Sequence, residues 1–280
     1  MRANNATDPR ISSEFGGGFD LAKHTICLAT VGSTSHNTYV PHDDPNSIDD
    51  VDYMGIAIPP VRRVVGLSQW DHWTLQKEEL DVVFYSFSKL VGLLLKSNPN
   101  VIGLLWLEPS CYVHVDPLFG RLIEKRDIFS SKKAYKAFSG YAYGQIYKME
   151  HGKFEGYMGE KRKRLVDKFG YDCKNGAHAI RLLRMGEEFL STGRVRVYRT
   201  DDAQQIRDIK SGKWSLDKVK AEAWKLLFKA KEALDRSVLP EEPNYEEAEN
   251  ILVSSTLEFW EKNDPEYKHK KNSRWKFLDI

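Results

Sequence analysis

Short apolar runs separated by polar turns characterise the first 118 residues of this 280-residue chain. The first run ends at Gly32-Ser33, and a loop rich in Asp, Pro, Asn and Ser leads to a second run that begins with Asp50 and Asp52. Runs of about four to eight residues bounded by such turn residues are typical of β-strands. Strands are therefore predicted at 26–31, 50–58, 81–85 and 111–115.

Apolar positions recur at helical spacing through most of the remaining chain. Before residue 118 this pattern predicts a helix at 87–97, with Ser86 as its N-cap, and another at 101–107. Further helices are predicted at 132–149, 160–169, 175–190, 215–237 and 245–263. The sequence thus predicts an α+β protein in which a small mixed β-sheet flanked by helices precedes a mostly helical region. The predicted divisions are a flexible leader (1–22), a sheet domain (23–118) and a helical domain (119–280).

Asp50 and Asp52 are candidate metal ligands because they lie two residues apart at the start of a predicted strand. Strand side chains alternate between the faces of a sheet, so these two carboxylates point to the same side. Carboxylates this close repel each other unless a positive charge lies between them. Since oxygen ligands suit Mg²⁺, the pair predicts a divalent-metal site. The alternative is a surface turn with solvated acids.

The distribution of charge along the chain favours a polyanionic ligand. Residues 1–118 carry 8 Lys/Arg and 14 Asp/Glu, residues 119–200 carry 19 and 9, and residues 201–280 carry 15 and 17. An acidic segment followed by one with a net charge of +10 suits a nucleoside triphosphate (NTP) or RNA. The alternative is that charged helices only solvate the surface.

A membrane or secreted protein is disfavoured by the same composition. The sequence holds no apolar run near the roughly 20 residues that a membrane span needs, and its first 20 residues lack the apolar core of a secretory signal. Three widely separated cysteines fit reduced, buried thiols. We therefore expect a cytoplasmic protein with no membrane partner, whose oligomeric state the sequence does not indicate.

A second candidate site lies in the predicted helix that follows Gly170. At 100° per residue, Lys174, His178 and Arg181 fall within one narrow stripe, with Glu188 on the same stripe. A strip of cations with a histidine suits phosphate groups. A solvated helix face with a surface histidine is the alternative.

The order of these motifs resembles the nucleotidyltransferase superfamily of the DNA polymerase β type. More specifically, the chain resembles the predicted nucleotidyltransferases known as RlaP, which are associated with RNA ligases and RNA repair. The loop after Gly32-Ser33 departs from the family pattern, because His36-Asn37-Thr38-Tyr39 stands where a Tyr-Gly pair is expected. The resemblance extends over about residues 24–215 and rests on 32–33, 50–60, 98–100, 104–106, 159–166, 170–174, 177–178, 181–186 and 192–194.

The resemblance implies a reaction and a role for each candidate residue. Asp50, Asp52 and a third acid, Asp81, would hold two Mg²⁺ ions, with Mn²⁺ as the alternative, and Asp81 would help deprotonate the acceptor. Gly32, Ser33 and Ser35 would bind the phosphates of the NTP from one side. Lys174, His178 and Arg181 would bind them from the other. The implied reaction transfers a nucleoside monophosphate to an acceptor, with an RNA end or tRNA favoured, and releases pyrophosphate.

Two alternatives to this function remain at the level of sequence. One is a non-catalytic RNA-binding or regulatory protein that uses the basic residues Lys132, Lys133 and 161–164 together with the basic, aromatic tail at 268–276. The other is a toxin-like transferase that modifies tRNA or protein. Substitution of Asp50 and Asp52 by asparagine separates an enzyme, which would lose its activity, from a binding protein, which would tolerate the change.

Overall fold

The computed structural model describes residues 18–41, 44, 46–47, 49–77, 80–151 and 159–274. Residues 1–17 of the predicted leader lie outside the described residues. Helix α1 (Leu21–His24) begins within the rest of the predicted leader. Asp20 caps it by accepting a hydrogen bond from the backbone N–H of Lys23, and Leu21 is buried. No helix in the described part of the chain is long and apolar enough to cross a membrane.

In the described part of the chain the sheet has five strands and is mixed, as the predicted α+β class requires. Its spatial order is β3-β4-β2-β1-β5; β2 and β4 pair in parallel, and the other neighbouring strands pair antiparallel. The strands are β1 (Thr25–Thr30), β2 (Val51–Ala57), β3 (His72–Lys77), β4 (Leu80–Ser86) and β5 (Tyr112–Val115). Strand β3, which pairs antiparallel with β4, is absent from the sequence prediction.

The other helices make up most of the remaining chain. They are α2 (Gly32–Ser35), α3 (Val61–Val65), α4 (Phe87–Leu94), α5 (Pro99–Ile102), α6 (Pro117–Glu124), α7 (Lys133–His151), α8 (Glu160–Phe169), α9 (Cys173–Thr192), α10 (Ala203–Lys210), α11 (Leu216–Arg236), α12 (Tyr245–Asn263) and α13 (Pro265–Arg274). Three short 3₁₀ turns lie at Gly103–Trp106, Pro109–Cys111 and Arg126–Phe129.

Most of the predicted helices are present, with two differences of extent. Helix α4 ends at Leu94 instead of residue 97, because the chain turns there and Ser97 takes a positive φ of 51°. The helix expected at 101–107 is instead α5 followed by a 3₁₀ turn, since Asn98 caps the chain earlier and Pro99 starts the helix. Helices α6, α10 and α13 and the short helices α1, α2 and α3 were not predicted.

Two hydrophobic clusters cover the two faces of the sheet. Because β2 and β4 are in parallel register, one face carries Asp52, Met54 and Ile56 of β2 and Asp81, Val83 and Tyr85 of β4. The larger cluster packs on this face and runs continuously from Ile26 to Trp260, while a smaller one, with Leu28, Val82 and Phe84, covers the other face. The sheet and the helices thus share one core, and the domain boundary at residue 118 stays a prediction.

Candidate active site

The three predicted acids gather at one end of the sheet. Asp52 of β2 is the direct register partner of Asp81 in the parallel strand β4. Since paired strands lie about 4.8 Å apart, these carboxylates begin from neighbouring Cα atoms on the same face. Asp50 immediately precedes β2, two residues from Asp52. The parallel register therefore gives the sheet an acidic edge.

Burial and neighbouring charges perturb the carboxylates of Asp52 and Asp81. Burial is the main reason that the pKa of Asp52 rises from 3.8 to about 6; the Lys174 ammonium opposes the rise, and Asp81 and Asp50 add to it. Burial also raises the pKa of Asp81, with the charge of Asp50 as the next cause. A cation bound between the acids would relieve this repulsion.

The Gly32-Ser33 turn packs directly on the Asp52 carboxylate. Gly32 has a φ of +64°, and a Cβ built on it would lie 1.8 Å from Oδ2 of Asp52. The backbone N–H of Val31 donates to the backbone carbonyl of Asp52 over 2.8 Å, which ties the turn to β2. Only glycine fits this close approach with a left-handed backbone. The turn and the acids therefore form one unit.

The two serines of this turn differ in what their hydroxyls do. The Ser33 hydroxyl is buried and has no hydrogen-bond partner in the described part of the chain. An unsatisfied buried hydroxyl is uncommon and is the kind of group that a ligand can satisfy. The Ser35 hydroxyl instead donates to the backbone carbonyl of Gly32 over 3.0 Å. Ser35 therefore closes the turn, and the structure does not bring its hydroxyl to the site.

Helix α9 brings the three predicted phosphate ligands to the same place. Asp172 caps the helix by accepting from the backbone N–H of Asn175, so Lys174 lies in its first turn. A cavity of about 180 Å³ separates α9 from the Gly32-Ser33 turn. Its lining includes Gly32, Ser33, Asp52, Lys174, His178 and Arg181, and is completed by His36, Thr38, Asp49, Ala177, Ile206 and Lys210.

The cavity is positively charged, and its histidines are held neutral. Burial, together with the nearby cations led by Arg181 and Lys174, lowers the pKa of His178 to about 3. Burial lowers the pKa of Arg181 to about 10, which leaves the guanidinium charged at neutral pH. The positive charge in a partly closed space is suited to an anion.

Arg181 and His36 form a contact that the sequence did not predict. Nη1 of Arg181 donates to Nε2 of His36 over 2.5 Å, and Nδ1–H of His36 donates to the carbonyl of Val197 over 2.9 Å. Burial and the charge of Arg181 hold the pKa of His36 well below its usual value, consistent with a neutral acceptor. Among the described residues, no carboxylate oxygen lies within hydrogen-bond distance of the Arg181 guanidinium. His36 therefore orients Arg181 without neutralising it.

Lys210 and Asp49 are two further lining residues that the sequence analysis missed. Nζ of Lys210 contacts both carboxylate oxygens of Asp49, at 2.8 and 3.0 Å, and donates to the carbonyl of Thr38 over 2.9 Å. Asp49 also accepts a hydrogen bond from the backbone N–H of Val40. The available signal was Ile206 and Ile209, whose helical spacing beside Lys210 indicates a short amphipathic helix.

The 193–202 segment fixes the loop that follows the turn. Asn37 donates through Nδ2 to the carbonyl of Arg199 over 2.9 Å, and Nη1 of Arg207 donates to the carbonyl of Asn37 over 2.6 Å. Arg199 itself is almost completely buried and is paired with Glu188 and Asp202. Glu188, expected on the stripe with Lys174, thus belongs to this scaffold, because the stripe reaches beyond the cavity by residue 188.

The basic run 161–164 is partly engaged within the protein. Arg162 is paired with Asp172 over 2.7 Å and also donates to Asn175, so it supports the start of α9. Lys163 is paired with Glu160 over 2.8 Å. The side chain of Lys161 lies outside the described residues. Part of the run's charge therefore stabilises the helix that carries the predicted phosphate ligands.

A preformed cage for a metal ion is absent from the described part of the chain, where no group of three or more His, Cys, Asp or Glu donors is arranged to hold one. The chemistry of the donors nevertheless fits Mg²⁺, which takes one or two carboxylates and fills its other positions with water and phosphate oxygens. A cation bound there would oppose the rise in the pKa of Asp52 and keep its carboxylate ionised.

The family match defines the class of this protein as a polymerase β-like nucleotidyltransferase. The family model described as "RlaP: RNA repair pathway DNA polymerase beta family" matches residues 26–254, and the chain belongs to this family. A crystal structure of a nucleotidyltransferase-like protein from Exiguobacterium sibiricum 255-15 aligns with 76% of this chain and 69% of its own, at 13% identity and a TM-score of 0.27. A search of curated proteins gave no match.

Proposed function

We propose that this protein transfers a nucleoside monophosphate from an NTP to an RNA end or tRNA, with Mg²⁺ or Mn²⁺ and with release of pyrophosphate. The observation that carries the proposal is the position of Asp52. Its carboxylate is beside Asp81 across the parallel strands, touches the Gly32 turn and lines the cationic cavity. Acids that can hold a metal therefore adjoin groups that can hold phosphates.

The cavity suits the phosphate chain of an NTP better than the whole molecule. At about 180 Å³ it is smaller than the roughly 300 Å³ or more that encloses a drug-sized ligand. The Ser33 hydroxyl and the backbone N–H groups of the turn would bind phosphate oxygens from one side. Lys174, His178 and Arg181 would bind them from the other, which leaves the nucleoside outside this cavity.

Asp50, Asp52 and Asp81 are the residues that would hold the metal ions. Two ions bound there would supply positive charge that stabilises the attacking and the leaving oxygens. In the proposed step, the acceptor hydroxyl oxygen bonds to the α-phosphorus while the bond from this phosphorus to the oxygen bridging the β-phosphate breaks. Pyrophosphate leaves, and the hydroxyl proton passes to Asp81, whose raised pKa favours its role as a base.

The experiment is transfer of label from each common NTP, marked at its α-phosphate, to total RNA in the presence of Mg²⁺. The matched pair of variants is Asp50→Asn/Asp52→Asn, which removes the acidic edge, and Asp71→Asn, which changes an exposed aspartate elsewhere. Label in RNA from the wild type and from Asp71→Asn, with a loss of several orders of magnitude in the double variant, is the expected result.

Two other results would redirect the proposal. Label on a protein instead of RNA would support the toxin-like transferase. RNA binding without label from any NTP, unchanged in Asp50→Asn/Asp52→Asn, would support the non-catalytic RNA-binding or regulatory protein. The lack of a three-donor metal group in the described residues is the observation that keeps this second alternative in the test.

A further inference from the structure

Helix α7 presents two tyrosines in opposite directions beside the site. Tyr141 and Tyr143 are two residues apart, which places them about 200° apart around the helix. The flank of Tyr143 faces α11, because Glu150, almost two full turns further on, is paired with Lys220 of that helix over 2.9 Å. The flank of Tyr141 carries Gly144 and Lys148 at helical spacing, and it is the side on which Tyr141 meets Asn98 and acts on Tyr85 of β4. We call Tyr141, Gly144 and Lys148 the sheet-side flank of α7.

The sheet-side flank lies between β4 and the part of α9 that lines the cationic cavity. At one end is Tyr85, which lies on the same face of β4 as Asp81 and about 13 Å from it, and whose pKa is raised by burial first and by Tyr141 next. At the other end, Met149, the residue after Lys148, packs on Gly176 of α9, which lies between Lys174 and His178 in sequence. The flank therefore offers a path from Tyr85 to the cationic cavity, whose lining includes Asp52.

Tyr141 is held in one orientation by a motif that the catalytic proposal does not use. Nδ2 of Asn98 donates to the Tyr141 hydroxyl over 2.9 Å, while Oδ1 of Asn98 accepts from the backbone N–H of Asn100 and so caps α5. The Asn98-Pro99-Asn100 motif thus fixes an aromatic ring that stays 37% exposed. A fixed and exposed ring is a suitable platform for stacking a base.

The rest of the flank is open and basic. A Cβ built on Gly144 would meet no atom within 4 Å, so a bound chain can approach the helix backbone there. Lys148 is exposed, and it forms no ion pair with an acid in the part of the chain that the structure describes. Along this flank an exposed aromatic ring is followed by an open stretch of helix backbone and then by a lysine. This order suits a single strand, which alternates bases and phosphates.

We propose that the sheet-side flank of α7, together with Tyr85, binds the single-stranded end of the RNA acceptor and directs its terminal hydroxyl toward Asp81. This inference rests on the proposed function for the identity of the acceptor. This path would approach the acids from the α7 side, whereas the NTP phosphates are proposed to bind between α9 and the Gly32-Ser33 turn. The two substrates would thus meet at the acidic edge from different sides.

The experiment measures the affinity of the full-length protein for a fluorescein-labelled single-stranded RNA of about 12 nucleotides, by anisotropy at fixed salt and with EDTA present. Tyr141→Ala is expected to weaken binding about fivefold or more, since one stacked base is lost. Tyr141→Phe keeps the ring and should stay within about twofold of the wild type. Tyr143→Ala is the matched control, because it removes a more exposed tyrosine from the opposite flank.

A second test adds a side chain to the flank, so its result does not depend on removing a packed side chain. Gly144→Leu should fold at least as well as the wild type, because it replaces a helix glycine where space is open, and it should weaken RNA binding by filling the space beside the helix backbone. Equal affinity in the Tyr141→Ala and Tyr143→Ala variants would overturn the proposal. So would unchanged binding by Gly144→Leu, or equally tight binding of a duplex of the same sequence.

The failure of this inference and the failure of the proposed function give different results. If label passes to RNA and Tyr141→Ala leaves the KM for RNA unchanged, the function stands and the assignment of this surface is overturned. If RNA binds through Tyr141 but no NTP donates label, the surface stands and the transferase proposal is overturned. Binding in EDTA is independent of catalysis, so neither result depends on the other.

Discussion

Asp52→Asn should stabilise the fold while it abolishes the proposed activity. Asp52 lies partly buried beside two other carboxylates, and burial is the largest cause of its raised pKa. At neutral pH the folded protein therefore holds a carboxylate in a place that favours its protonated form. Asparagine has the same shape without the charge, so it removes the electrostatic penalty and removes a proposed metal ligand at once.

The magnitude follows from the pKa of Asp52 in the two states. A shift from 3.8 to about 6 is roughly two pKa units, and at about 1.4 kcal/mol per unit it corresponds to about 3 kcal/mol. Because the folded pKa is higher than the unfolded one, the native state binds the extra proton between these values, and stability falls as pH rises through this range. The electrostatic destabilisation caused by the Asp52 carboxylate reaches its full size above about pH 6 and disappears as pH falls toward 3.8.

The assay is urea unfolding of wild type and variant in EDTA, at about pH 8 and again near pH 5. We expect Asp52→Asn to have the larger free energy of unfolding at the higher pH, by about 2–3 kcal/mol, and the difference to narrow near pH 5. Mg²⁺ added at the higher pH should stabilise the wild type more than the variant. Asp71→Asn, at an exposed aspartate, should stay within about 0.5 kcal/mol of the wild type.

The reasoning is refuted if Asp52→Asn is no more stable than the wild type at the higher pH. It is also refuted if the advantage persists unchanged at the lower pH, because a constant difference would come from packing and not from charge. A narrowing difference together with stabilisation by Mg²⁺ would connect the strain at this carboxylate to metal binding. Activity alone would not make this connection.

Further substitutions test the parts of the site separately. Gly32→Ala should lower activity more than about 100-fold, since its Cβ would meet Oδ2 of Asp52 at 1.8 Å; activity near that of the wild type would contradict the contact. Ser33→Ala should raise the KM for NTP several-fold in steady-state kinetics without lowering stability, because its buried hydroxyl has no partner among the described residues. Arg181→Met should raise the KM for NTP about tenfold or more, and an unchanged KM would exclude a phosphate contact. Arg199→Met should lower the free energy of unfolding in urea by about 3 kcal/mol, because it removes the buried cation between Glu188 and Asp202, which then keep Arg196 and Arg184, respectively, as partners; a loss below about 1 kcal/mol would argue against that network.

Local sequence patterns were sufficient to predict the elements that carry the acids. Asp52 and Asp81 each stand near the start of an apolar run, and two parallel strands that start with an acid bring both acids to the same end of the sheet. The period of two also predicts which face they share. Strand β3 escaped prediction because its apolar positions, Trp73 and Leu75, are few and are interleaved with polar residues at the edge of the sheet.

Contacts between distant parts of the chain could not be derived from such patterns. Arg181 meets His36, and Lys210 meets Asp49, across sequence separations of 145 and 161 residues. No periodicity specifies which loop residue faces which helix, since that depends on how the 193–202 segment fixes the loop. The same limit explains Ser35, whose hydroxyl could bind either a ligand or its own turn, and which bonds to Gly32 in the folded chain.

The net charge of a segment does not indicate which of its cations are available to bind phosphates. Residues 119–200 carry a net charge of +10, and RNA binding along that whole surface would be the simplest interpretation. Yet Arg162, Arg184 and Arg199 are paired with buried or half-buried acids, and their charge stabilises the scaffold around α9. Arg181, in contrast, is half-buried at the cavity with a neutral histidine and a methionine sulfur as its neighbours. The charge available to a phosphate is therefore concentrated at a few positions, and the salt dependence of RNA binding should reflect a few phosphate contacts and not the total charge of the segment.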